Sequence, residues 1–150
     1  MYPDVKLIIA HYGRAYTASV FERGAKALGE YMKALYFDMG AVLNPEVLRM
    51  SMDVMDRKHI MWATDLPVFQ FHGRRRWTED MYVNLCREDF PWNKHLESPE
   101  VEAEYTFFLY EQMNNVLNVV EEVGDDDLKQ DVFWRNAERI LTAATKGEDL

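Results

Sequence analysis

Three short apolar runs limit this chain more than anything else in it: VKLIIA at 5–10, KALYFD at 33–38 and HIMWAT at 59–64. VKLIIA is β-branched and apolar at consecutive rather than alternate positions, the pattern of a strand covered on both faces, as in a parallel sheet. Between the runs lie segments of helical spacing. Val20, Phe21, Ala25, Leu28 and Met32 recur over 17–33. Leu48, Met52 and Met55 share one face of a second segment, 46–57, opened by Asn44 as N-cap and Pro45 in the first turn. The order β-α-β-α-β, with each crossover long enough for a helix, predicts parallel strands in an α/β architecture.

Each run stops at or near an ionisable residue: His11, Asp38 and Asp65, 27 residues apart each time. The period is architectural, one strand, one helix and two loops, without residue-level repetition. After Asp65 the pattern changes. Pro67 and QFHGRRRWTED predict a loop, followed by a short helix over 79–87 and a second loop. Ser98 as N-cap and Pro99 then open a long helix over 101–123. Its stripe of Tyr105, Phe108, Leu109, Met113, Val116, Leu117 and Val120 reads as packing, and Gly124 stops it. A last helix is predicted over 128–143. No linker divides the chain, so one domain is expected over 1–145, with a disordered tail at 146–150.

Composition narrows the function. The 150 residues are 48% hydrophobic and 13% aromatic, enough for a real core. Seventeen basic against 26 acidic residues give a net charge of −9, which argues against nucleic acid and anionic membrane as partners. No apolar stretch approaches the ~20 residues of a membrane span, and MYPDVK does not resemble a signal peptide. The single cysteine, Cys86, excludes an internal disulfide, suits a reducing, cytoplasmic setting, and reads as a small buried hydrophobe. The absence of GxGxxG, Walker, GxSxG, CxxC and HExxH patterns removes the usual nucleotide, serine-hydrolase and zinc-protease readings.

Ligands of α/β sheets and βα barrels bind at the carboxyl ends of the strands. His11 and Asp65 stand at two such ends and would face one mouth. His11 could instead be a hydrogen-bonded junction residue, and Asp65 an N-cap or Asx-turn before Pro67; Asp38 reads first as structural. An imidazole and a carboxylate together suit a divalent metal, by default zinc, although a catalytic zinc site needs about three protein ligands. His59 lies at the amino end of its strand, and His72 and His95 read as surface or packing residues. Arg74, Arg75 and Arg76 lie between aromatics in the loop leaving that mouth. They could bind a substrate carboxylate bidentately or pair with the acidic helix over 101–123.

Four segments in order, YPDVKLIIAHYG, ALYFDMGAVL, HIMWATDLP and DVFWRNAERIL, resemble the last third of the amidohydrolase-related (amidohydrolase 2) family. This is the metal-dependent TIM-barrel family that includes amino-carboxymuconate-semialdehyde decarboxylase. The match spans roughly 140 residues, and the resemblance implies a partial (β/α)8 barrel: strands six to eight with their helices, then a helical insertion after the last strand. It implies that Asp65 is the strand-eight metal ligand and catalytic acid/base, and that His11 is the strand-six histidine lining the metal site. The implied activity is metal-dependent hydrolysis, or non-oxidative decarboxylation, of a small carboxylate substrate. The family's ligands from strands one and five have no counterpart here, so the isolated chain is expected to be inactive. The other expectation is a truncated, non-catalytic α/β protein that associates through an open barrel face with a second copy or the N-terminal half of the barrel.

Overall fold

The computed structural model describes residues 5–91 and 93–147. Of the tail expected at 146–150, residues 148–150 lie outside this range, and Lys146 closes a helix. Three parallel strands, β1 (Ile8–Ile9), β2 (Tyr36–Asp38) and β3 (Ile60–Met61), form a sheet in the order β1-β2-β3. Ile9 lies opposite Phe37, and Phe37 opposite Ile60. The first crossover carries α1 (Ala18–Leu28) and the short α2 (Tyr31–Ala34), and the second carries α3 (Pro45–Val54). The predicted parallel β-α-β-α-β order is therefore what forms, but the first run is not covered on both faces as expected: β1 keeps only the exposed Ile8 and half-buried Ile9, because it lies at the sheet edge.

Apolar periodicity explains the packing. Phe37 and Ile60 join Phe21, Val47 and Leu48 in the main core, so α1 and α3 cover one face of the sheet. The opposite face holds a small cluster of Tyr36 and Met61 under Ile140. Asn44 caps α3, its side chain accepting from the Glu46 backbone N–H at 3.0 Å, with Pro45 as the first helical residue.

The segment after β3 departs from expectation. The helix predicted over 79–87 is instead a strand, β5 (Tyr82–Cys86), antiparallel to β4 (Gly73–Trp77). The insertion is thus not wholly helical: a hairpin comes first. Gly73 permits it, because a Cβ there would meet the Leu85 carbonyl oxygen at 2.3 Å. The turn closes through Thr78 N–H donating to the Met81 carbonyl at 2.8 Å. The long helix predicted over 101–123 is broken into α4 (Pro99–Ala103) and α5 (Phe108–Val123). The break lets Phe108 N–H bond the Phe71 carbonyl at 2.9 Å, which seats α5 beside the hairpin. The last helix runs as α6 (Leu128–Gln130), a π-helical turn (Asp131–Arg135) and α7 (Asn136–Lys146).

Two buried amides pin the helices to the strand backbone. Gln112 of α5 donates to the carbonyls of Met39 at 2.7 Å and Ala63 at 3.1 Å, just past β2 and β3. Asn136 of α7 donates to Arg57 and Ile60, both at 2.8 Å. Each ties a helix to backbone carbonyls at or beside the ends of the short strands.

Candidate functional site at the carboxyl ends of the strands

β1 ends in a tight helical turn, His11–Arg14, in which all four residues hold positive φ, from 50° to 67°. Only Gly13 is free of the Cβ penalty that left-handed backbone imposes. Ala41, after β2, and Asp65, after β3, have φ of 58° and 53°. Backbone strain of this kind persists only where surrounding structure imposes it, and it clusters at functional sites. Here it is concentrated at the carboxyl ends of the strands.

Several contacts impose it on the turn. Asp38 Oδ1 accepts from the backbone N–H of His11 and of Gly40, each at 2.9 Å. The Tyr12 hydroxyl meets Ser51 Oγ at 3.0 Å inside the core. Gly40 allows the approach: a Cβ there would lie 2.9 Å from His11 Nδ1 and 3.1 Å from Asp38 Oδ1.

The His11 ring is oriented by a carbonyl. Nδ1 lies 2.9 Å from Gly40 O, which can only accept, so Nδ1 carries the hydrogen. In the neutral ring Nε2 is then a lone pair, and it lies 3.6 Å from Asp65 Oδ1. That is too long for a hydrogen bond. It sets two electron-pair donors face to face, an arrangement that asks for a proton or a cation between them. Two ligands of one ion with bonds of ~2.0–2.1 Å are roughly 3–3.5 Å apart, close to the observed spacing. Nitrogen and oxygen donors suit a divalent ion in kind. They fall short in number, because no group of three or more His, Cys, Asp or Glu among the described residues is placed to hold one.

His11 and Asp65 share a cavity of about 350 Å³ with Arg14, Tyr16, Val68, Phe69, Arg75, Tyr82 and Asn84. Asp65 caps no helix, since the next regular element begins at Gly73. Asp38 holds backbone and does not line the cavity. The other histidines are elsewhere. His59 Nδ1 pairs with the Lys33 carbonyl, His72 with Glu88 at 2.5 Å and His95 with Glu102 at 3.1 Å. Cys86 is fully buried, and burial pushes its thiol up to about 12, so it is no nucleophile at neutral pH. A larger hollow of about 820 Å³ between α5 and the last helices is mostly apolar, and neither His11 nor Asp65 lines it.

The three arginines separate by strand alternation. Arg76 pairs with Glu97, and Arg74 lies over the Tyr105 ring. Arg75 turns inward, Nε donating to Asn84 Oδ1 at 2.9 Å and Nη1 to the Ala41 carbonyl at 2.7 Å. None forms an ion pair with the 101–123 segment among the described residues. Of the three arginines that the sequence offers for a carboxylate, only Arg75 lines the cavity, and Tyr16 and Asn84 beside it carry no mark in the sequence. The available signal was the two-residue period of Gly73, Arg75 and Trp77, hidden because its inward residue is charged.

A family model described as Amidohydrolase matches residues 1–142. No curated protein and no solved structure matches the chain.

Proposed function

The chain belongs to the amidohydrolase family, and from that premise we propose that it supplies strands six to eight of a TIM barrel, with His11 and Asp65 as its share of a metal-dependent active site. The reaction is hydrolysis, or non-oxidative decarboxylation, of a small carboxylate substrate. The observation that carries this reading is the 3.6 Å approach of His11 Nε2 to Asp65 Oδ1 in a cavity at the strand ends.

Asp65 is the metal ligand and the acid/base group; His11, held by Gly40, orients the substrate or shuttles a proton at Nε2. A bound divalent ion, zinc by default, would acidify water and polarise a carbonyl. Further donors have to come from outside the described residues, since these two do not complete a shell. No helix among the described residues is long and apolar enough to cross a membrane, and the lone buried thiol suits the cytoplasm.

One observation favours a second reading, a non-catalytic protein that associates with a partner, through the edge of its sheet rather than through a barrel face, which Ile140 covers here. Val5, Leu7 and Ile8 are 64%, 53% and 40% exposed at the edge of the sheet, an apolar edge suited to a second copy or to the rest of a barrel.

The test is turnover in a barrel completed by an added segment that supplies the missing ligands. Small carboxylic acids are followed for CO₂ release, and their amides and esters for hydrolysis. Asp65→Asn is expected to abolish turnover. His11→Asn is expected to lower it by roughly 10²–10⁴-fold, the usual worth of acid–base catalysis. Turnover unaffected by Asp65→Asn would remove the assignment.

A further inference from the structure

We propose that Arg75 is the carboxylate anchor of this cavity: its guanidinium, packed against the rings of Tyr16 and Tyr82, receives the anionic end of an organic monocarboxylate whose other end faces His11 and Asp65. The inference rests on the functional reading above for what happens at that other end, but its physical basis is separate.

Arg75 is 6% exposed. Its guanidinium carbon lies 4.7 Å from the Tyr16 ring centre and 4.5 Å from that of Tyr82. Its two protein hydrogen bonds go to neutral oxygens and use Nε and Nη1. No Asp or Glu among the described residues comes within the 4.0 Å of an ion pair. Burial draws its pKa down to about 10, so it remains a cation at neutral pH. A buried charge without a counter-ion is costly, and such groups are ordinarily paired. Here the chain provides the cation, holds it rigid with aromatic walls, and leaves it lining a cavity. The missing anion is then the ligand's. A planar guanidinium matches a carboxylate in geometry.

The same cavity limits the ligand. Asp65 on its wall disfavours a dianion such as phosphate, and the exposed Arg14 at the rim adds a second cation. About 350 Å³ is near the lower end of the range for small-molecule sites. A compact monoanion fits these conditions.

The test uses the chain as it is, without added metal, and two probes of similar shape: benzoate and the neutral benzamide. Binding is read by titration of tyrosine fluorescence and of the Asn84 side-chain amide resonances. Benzoate is expected to bind at least about tenfold more tightly than benzamide. Arg75→Gln should erase that preference, and Arg75→Lys, which keeps the charge but not the fork, should restore part of it. The wild-type ratio needs no variant to fold. Equal affinity for the two probes would overturn the proposal, as would a preference that survives in folded Arg75→Gln. Asp65→Asn separates the two readings. If the anchor is right, benzoate binding is kept or tightened in that variant even where metal binding and turnover fail. Metal binding at Asp65 with no benzoate preference would remove Arg75 alone.

Discussion

Gly40 lies two residues past Asp38, at a point where His11 Nδ1 would stand 2.9 Å from any added Cβ. Gly40→Ala should therefore displace the imidazole that the site depends on. Overpacking of this kind costs about 1–3 kcal/mol, and the expected signature is a lowered melting temperature together with a moved His11 ring resonance. An unshifted resonance would mean that the added Cβ is accommodated without moving the ring. Cys86 offers the opposite kind of test. With its thiol raised to about 12 by burial, native protein at mildly alkaline pH should resist iodoacetamide, and unfolded protein should react fully. The sequence already marks Cys86 as a small buried hydrophobe, as the structure has it, but Gly40 is silent there: its meaning lies in what surrounds it, and a neighbour brought in over 29 residues, as His11 is, does not show in a local window.

At the scale of elements, the join between α5 and the strands is the most exposed to test. Gln112→Leu keeps the side chain's bulk and removes the donor to Met39 and Ala63. The half-buried Ala63 carbonyl then loses its amide partner while the Met39 carbonyl keeps the Val42 N–H, a cost of about 1–3 kcal/mol in all. Chemical denaturation should show that loss with little change in its slope. A neutral result would mean that water replaces the amide. The parallel strands and their crossover helices were legible because buried apolar runs and helical spacing are local signals, as were Asn44 before Pro45 and Ser98 before Pro99. The hairpin was not legible. Its inward position opposite Asn84 is Arg75, and a charged residue breaks the apolar alternation that identifies a strand. The break at 104–107 was hidden because the apolar stripe continues across it, and what interrupts the helix is tertiary: residues 106–108 pair with Phe71, His72 and Gly73.

At the scale of the molecule, a three-stranded parallel sheet leaves β1 as an open edge, with Val5, Leu7 and Ile8 exposed on or beside it. The second reading makes this edge sticky: sedimentation at rising concentration should show self-association, and an apolar dye should bind. A compact monomer that binds no dye would count against association through it. Whether His11 and Asp65 form one cation-binding site at the strand ends is decided by titration with Mn²⁺ followed by NMR. Weak binding is expected, since two donors are fewer than a closed site needs. Line broadening should be selective for His11 and the cavity residues around it, and Asp65→Asn should abolish it. Broadening that spreads instead over the acidic C-terminal helices, and is unchanged by Asp65→Asn, would mean that His11 and Asp65 do not form a cation site.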